Sequence, residues 1–463
     1  MPRIDDDALA TVPAGPAAET ADGETAAEVR LDLAAAATVA VAGVPPELLA
    51  QSLGQYLRGW WLRVRSGDSG MIPVFLAIVV VAVTFEIVTP ENAFLRPSNV
   101  IYVFQASTVY MVLAMAEIVV LLVGEIDLSI GSVSLLGGVI AFKLVQTPGP
   151  DWPWWAAIAV ALLCCAAVGA LQGSLVSRLK IPSFVVTLAG FLLFSGILVL
   201  ILGGADGSVS VSPSVPNQSV IYNLVQGLID PVASWIALAL VLAVGGAAVW
   251  LRGSARRRSG LVAPPASLTA IRIALLAAVG IGIVALCGVN RANLGTVAGV
   301  PWVIPIVLGV LGAWTLVLQR TRLGRYIYAI GGNPEAARRA GVSLPAVRTW
   351  AFVLSSMTAG IAGILLGSFF FGQFSTNTAD PGQLVLYAVA AAVIGGTSLF
   401  GGRGKAIHGV LGGLVIGGIA YGMALLGLAA QWEYIVTGAV LVTAVLVDVL
   451  SRRGAGSGNV ARA

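Results

Sequence analysis

Few residues in this chain can do acid-base, nucleophilic or metal chemistry, and they do not cluster. The one histidine, His408, stands alone at the start of an apolar run. Cys164, Cys165 and Cys287 sit inside apolar runs, and the adjacent pair is badly placed to form a bridge. This pattern offers no metal site, no disulfide framework and no catalytic dyad. The Gly-rich stretch GGTSLFGGRGKA, from Gly395, lacks the Gly-x4-Gly-Lys-[Ser/Thr] spacing of a phosphate-cradling loop. The expectation is a protein with no catalytic residues, no metal and no cofactor of its own.

The carboxylates suggest two other roles. Glu86, Glu117 and Asp448 fall inside apolar segments, the usual place for ion-coupling groups, but each is within snorkelling or water reach of a membrane interface. They support an ion-coupled secondary carrier of a small polar solute only as an alternative. Glu125 and Asp127, in GEIDLSIGSVSLLGG from Gly124, fall between two apolar runs. Asp127 and Ser129 are N-cap types whose oxygens accept backbone N–H groups at the start of the next helix, while Glu125 is expected to be solvated. An echo follows at Gly395–Gly404, where Gly395 and Gly396 break a helix before Ser398. The echo suggests two related halves with discontinuous helices that meet near one pathway.

The elements that position these groups are membrane spans. The chain is 58% hydrophobic and 10% charged, where a soluble protein carries about 25% charged residues. Its mean hydropathy is +0.93, and its 56 glycines suit close helix packing in lipid. The net charge of +4 reads as a topology signal rather than nucleic-acid affinity, because the cations flank apolar runs. Residues 1–57 are acidic and Ala-rich, a disordered cytoplasmic tail, and residues 58–70 form an interfacial segment with Trp60, Trp61 and several arginines. The transmembrane domain covers 71–453, followed by a cytoplasmic tail at 454–463.

Segments of bilayer-spanning length run over Met71–Thr89, Ile101–Gly124, Leu128–Val145, Trp154–Ser177, Ser183–Leu202 and Ala233–Leu251. They continue over Ala270–Val289, Pro301–Leu318, Trp350–Gly372, Leu384–Phe400, Ile407–Gly427 and Glu433–Leu450. The fold class is an all-α polytopic bundle of about 10–12 spans, where a short re-entrant pair can replace one or two full crossings. With the N-terminus inside, Arg178, Lys180, Arg252, Arg256–Arg258, Arg320–Arg348, Arg403, Lys405, Arg452 and Arg453 all fall on the cytoplasmic side. Val209–Asp230 and Gly372–Gln383 carry no Lys or Arg, and Arg96 and Arg291 are the outer exceptions.

The longest inner loop, Gln319–Thr349, is punctuated as a short helix. Asn333 caps it, Pro334 suits its first turn, Glu335 opposes the dipole and Gly341 ends it before Pro345. A helix this short needs a surface to lie against.

Four stretches, GEIDLSIGS, IPSFVVTLAG from Ile181, YAIGGNPEAARRAGV from Tyr328 and VIGGTSLFGGRG from Val393, resemble the membrane permeases of ATP-binding-cassette importers for simple sugars, in particular the xylose-type pentose permeases. The likeness covers about Met71 to Arg453, and the acidic tail departs from it. The resemblance implies a permease homodimer in the inner membrane, a cytoplasmic ATPase with two nucleotide-binding modules that carries the ATP and Mg, and an extracytoplasmic sugar-binding protein. It also implies that Asn333, Glu335, Ala336, Ala337 and Gly341 form the ATPase-coupling segment. A simple-sugar path needs amides, hydroxyls and aromatic faces. Gln105, Ser107, Thr108 and Tyr110, Thr187, and Ser355, Ser356 and Thr358 supply them, although each is also an ordinary helix-packing residue. Trp152, Trp154 and Trp155 are expected in an outer interfacial belt.

Overall fold

The computed structural model describes residues 71–443 except 205–206, 260–265, 292–296, 376–379 and 430, together with residues 54, 55, 58, 61 and 446. Most of the acidic tail and of the interfacial segment, all of 454–463, and Asp448 lie outside the described residues. The chain divides into two units, one of Met1–Leu62 with Ala248–Arg272 and one of Arg63–Ala247 with Ile273–Ala463. In the smaller unit the Arg257 guanidinium lies 5.8 Å from the centre of the Trp250 ring. The larger unit holds the helical bundle.

Among the described residues, every apolar segment expected to cross the bilayer contains a helix. The chain runs α1 (Ile72–Val88), α2 (Pro97–Leu122), α3 (Ile130–Val145), α4 (Trp154–Arg178), α5 (Ser183–Leu202), β1 (Ser208–Ser210), α6 (Pro216–Gln226) and β2 (Leu228–Ile229). Next come α7 (Pro231–Arg258), α8 (Ala266–Gly288), β3 (Val300–Pro301), α9 (Val303–Arg320), α10 (Arg322–Gly332) and α11 (Pro334–Arg339). It ends with α12 (Leu344–Phe369), β4 (Gln373–Ser375), α13 (Pro381–Ile394), α14 (Ala406–Leu425) and α15 (431–443). Proline opens α1, α2, α6, α11, α12 and α13, where its missing N–H costs nothing and its fixed φ suits a first turn.

Among the described residues eight helices are long and apolar enough to cross a membrane, while α1, α3 and α13 are shorter apolar helices. The 16 and 14 residues of α3 and α13 rise roughly 24 and 21 Å, short of a hydrocarbon core of about 30 Å. With α1 also shorter, the full-length helices among the described residues number eight, against the expected 10–12 spans.

Burial separates centre from shell. The apolar windows of α2 and α12 are 83% and 78% buried, whereas that of α7 is 6% buried. The centre closes on small residues: Gly363 of α12 lies against the Ser134 carbonyl of α3, and Gly412 of α14 against the Ala391 carbonyl of α13. Lipid tails give no hydrophobic reason for two helices to meet, so van der Waals contact at such close approaches supplies the attraction.

The loops sort by end. At one end lie the α2–α3 and α13–α14 turns, the α4–α5 turn with Lys180, and α10 and α11: Gly402 N donates to Leu122 O at 3.0 Å, and Glu125, Lys180, Arg338 and Arg348 line one groove. At the other, β1 pairs antiparallel with β4 in the register Val209↔Phe374, β2 pairs with β3, and Asn217 Nδ2 donates to Trp152 O at 2.6 Å. Lys180, Arg338, Arg348 and Arg403, all assigned to inner loops, thus share an end. The two exceptions at the far end are occupied: Arg96 pairs with Glu91 at 3.0 Å, and Arg291 Nη1 donates to Cys287 O at 2.7 Å.

Candidate functional site

α11 is defined by its caps. Asn333 Oδ1 accepts from Ala336 N–H at 3.0 Å, which closes the N-terminus, and Pro334 and Glu335 occupy the first turn. At the other end Gly341 takes φ +83°. Gly341 N–H then donates to Arg338 O and Val342 N–H to Ala337 O, both at 3.0 Å, the paired bonds of a Schellman ending. Glu335 Oε1 accepts from Arg338 Nη2 at 2.9 Å and Arg339 Nε at 3.2 Å. Those hydrogen bonds, Arg338 first, hold the Glu335 carboxyl below its ordinary value. Ala337 is buried beneath the helix, while Glu335, Ala336, Arg338 and Arg339 face outward.

The amphipathic helix α10 ties this small helix to the bundle. Gly324, Ile327 and Ile330 form its buried stripe, and Thr321 caps it by accepting from Gly324 N–H at 3.1 Å. At its C-terminal end Gly331 is wedged between the Leu122 carbonyl and the Gly402 backbone, and Tyr328 Oη donates to Gly404 O at 2.7 Å. A side chain at Gly331 has no room. α10, which leads directly into the expected coupling segment, therefore touches both broken-helix turns, through the Gly331 backbone and the Tyr328 hydroxyl.

The two turns also meet each other, because Gly401 packs against Gly124. In the second turn Gly396 N–H donates to Val393 O at 2.9 Å and Ser398 N–H to Arg403 O at 2.9 Å. Gly395 abuts the His408 carbonyl, and the His408 ring sits 3.4 Å from the Thr397 hydroxyl.

In the first turn the capping differs from expectation. Ser129 is the N-cap residue of α3 but makes no side-chain cap bond, because its φ/ψ of −91°/−7° is helical. Its hydroxyl donates instead to Asp127 Oδ1 at 2.6 Å and accepts from Gln172 Nε2 at 2.8 Å. Asp127 also accepts Ser129 N–H at 2.9 Å, one step ahead of the helix. Two further expectations are corrected. Glu125 is not free in solvent: its Oε1 lies 3.2 Å from Arg348 Nε, an ion pair without hydrogen-bond alignment. Glu117 does not snorkel: it is wholly buried, with Oε1 3.4 Å from Asp127 N–H.

The expected path residues separate into two groups. Thr108 and Thr358 are buried and donate to their own helices, at Phe104 O (2.9 Å) and Leu354 O (2.8 Å). Ser355 is also fully buried at the packed core. Gln105 and Tyr110 lie on a half-exposed face of α2. Gln105 Nε2 donates to Val225 O at 2.8 Å, and Tyr110 meets Tyr387 edge-on at 5.3 Å between ring centres. Tyr387 Oη in turn donates to Glu433 Oε1 at 2.7 Å. The reading of single residues missed Asn99, Tyr102, Gln226, Phe369 and Tyr421 on the same side. The spacing of Asn99, Tyr102 and Gln105 along α2 was the available signal, since residues three apart share a helix face.

A bundle with buried turns, short central helices and a capped loop helix is a transporter architecture, and the comparisons agree. The family model described as branched-chain amino acid transport system / permease component matches residues 99–445. The chain belongs to this family. It is 34% identical to the xylose transport system permease protein XylH of Escherichia coli (strain K12) over 385 residues, 82% of this chain and 92% of that protein. Its identity to the XylH of Haemophilus influenzae is 32% over 401 residues, 84% of this chain and 99% of the relative. Against the ribose import permease protein RbsC of Escherichia coli (strain K12) it is 27% over 400 residues, 85% and 95% of the two chains. No solved structure gives a significant match. The protein is thus a multi-pass membrane permease, and its relatives are transport subunits rather than enzymes.

Proposed function

We infer that this chain is the membrane subunit of an ATP-binding-cassette importer that moves a pentose, xylose first among the candidates, into the cell. Two copies form the path in the inner membrane, with both termini cytoplasmic. A separate cytoplasmic ATPase with two nucleotide-binding modules binds ATP and Mg, and a soluble extracytoplasmic protein delivers the sugar. The permease itself binds no nucleotide and makes or breaks no bond.

The observation that carries the reading is the seating of α11. Asn333 and Gly341 close the helix at both ends, Glu335, Ala336, Arg338 and Arg339 are presented outward, and Gly331 rests on both broken-helix turns. An ATPase that grips α11 and closes around ATP pushes on Gly331, and so on the Leu122 carbonyl and the Gly402 backbone together. Two turns displaced at once alter how α2, α3, α13 and α14 pack, which is the movement that alternating access requires. XylH and RbsC, named as sugar permeases, favour this reading over an ion-coupled carrier.

The test is reconstitution in proteoliposomes with and without the ATPase and a xylose-binding protein. ATP-dependent xylose uptake is expected, and uptake driven by a pH or sodium gradient without the ATPase overturns the reading. Replacing Glu335 and Gly341 together is expected to abolish ATPase capture, and retained capture with retained uptake counts against α11 as the coupling helix.

A further inference from the structure

At the end of the bundle away from α11, three central helices leave a polar and aromatic face half exposed. The Tyr102 ring of α2 lies 4.9 Å from Tyr421 of α14 and 5.5 Å from Phe369 at the end of α12, measured between ring centres. Two amides flank the rings with their orientation fixed. Gln105 Nε2 donates to Val225 O at 2.8 Å, and Gln226 Nε2 donates to Phe369 O at 2.9 Å and to Ser368 O at 3.4 Å. A backbone carbonyl only accepts, so each glutamine must turn its nitrogen inward. Among the described residues no donor is paired with either Oε1, and both side chains are part-exposed.

A membrane-interface belt also gathers tyrosines. Belt residues, however, need no fixed partners, whereas here Tyr421 Oη donates to Asn99 Oδ1 at 2.9 Å and Asn99 Nδ2 donates to Ala93 O at 2.7 Å. The exposed large side chains of α5 and α7 are Leu, Val, Ile and Phe, such as Phe184, Leu192, Ile236 and Leu240, with Trp235 and Trp250 only towards the ends of α7. Anchored amides beside these tilted ring contacts are out of place against hydrocarbon.

Resting on the importer reading above, we propose that this face is the permease's own contact surface for the sugar. The Tyr102 ring, with Tyr421 and Phe369 beside it, takes the C–H face of a pyranose. Gln105 Oε1 and Gln226 Oε1 accept from its hydroxyls. None of Asn99, Tyr102, Gln105, Gln226, Phe369 and Tyr421 is charged. That selects a neutral polyhydroxy ligand over a zwitterionic amino acid, whose ammonium and carboxylate each need a partner once dehydrated.

The experiment uses the permease–ATPase–binding-protein complex in proteoliposomes with labelled D-xylose. Tyr102→Phe keeps the ring and is expected to keep uptake within about twofold, while Tyr102→Leu loses about tenfold. Complex assembly and the ATPase rate stimulated by the loaded binding protein are expected to stay at the wild-type level in both, which a merely structural role does not allow. Gln105→Leu is expected to change the ratio of D-xylose to 2-deoxy-pentose uptake. If Tyr102→Leu transports at the wild-type rate, or loses uptake only in step with assembly, the site is wrong. If the wild-type complex itself takes up no pentose, it is the importer reading that has failed.

Discussion

Replacing Gly341 by alanine separates backbone conformation from packing. A Cβ at this position meets nothing within 4 Å, so the substitution adds no clash. The cost is conformational: φ is +83°, and an L-residue held in the left-handed region loses roughly 1–2 kcal/mol. α11 has only 6 residues and few intrahelical bonds with which to absorb that loss. A change of this size shifts a two-state equilibrium about 5–30-fold. The population with its Schellman ending intact is expected to fall by that factor. The assay is capture of the ATPase on immobilised permease, with ATP-dependent uptake alongside. Gly341→Ala is expected to weaken capture about 5–30-fold, and Gly341→Asn less, because Asn tolerates the left-handed region better. The melting temperature of the isolated permease is expected to change little, since Ala337 is the one buried residue of the helix. Equal capture by the wild type and Gly341→Ala refutes the reasoning, as does an asparagine variant as impaired as the alanine.

Other perturbations test neighbouring links. Gly331→Ala drives a methyl into the Leu122 carbonyl and the Gly402 backbone; overpacking of about 1–3 kcal/mol is expected to leave ATPase capture intact but reduce uptake per ATP hydrolysed. Arg348→Gln removes the cation beside Glu125 and is expected to lower the melting temperature of the permease modestly, an effect that Glu125→Gln in the same chain relieves. Glu335 predicts the pH response. Its folded-state carboxyl is held below the ordinary value of 4.5, so the stabilisation is present above that value and is lost only as pH falls through the lowered one. ATPase capture is therefore expected to be flat from pH 8 to pH 5 in surface-binding measurements, and a loss in that range excludes Glu335 as the titrating group.

The helices and the capped loop were legible because each rests on local chemistry. Hydropathy over about 20 residues marks a span, and Asn333, Pro334 and Gly341 mark a helix between them whatever lies elsewhere in the chain. Glu117 and Glu125 were misread because their partners, the Asp127 amide and Arg348, are set by tertiary packing rather than by neighbours along a helix. α6 was hidden in the cation-free segment Val209–Asp230, since it is amphipathic and too short for any hydropathy window. Its C-terminal end nevertheless supplies Val225 O, which orients the Gln105 amide, and Gln226, the second amide, which the Phe369 carbonyl orients. For the same reason the outer face was visible as a spacing on α2 and not as a site.

On the proposed reading, different parts of the fold carry force and recognition, and they use different chemistry. From α10, which carries α11, to the turns the contacts are made on backbone groups: Gly331 against Leu122 O and Gly402, and the Tyr328 hydroxyl on the Gly404 carbonyl. Backbone groups and glycines say nothing about the cargo. At the opposite end the contacts that remain available are side chains, the Tyr102 ring and the two glutamine oxygens, whose replacement alters cargo choice without touching the relay. That division explains how one family can bear an amino-acid description while XylH and RbsC, similar to this chain over more than four-fifths of its length, are named for pentoses. The motor-facing end is constrained by the geometry of a push, the outer end only by what passes through it.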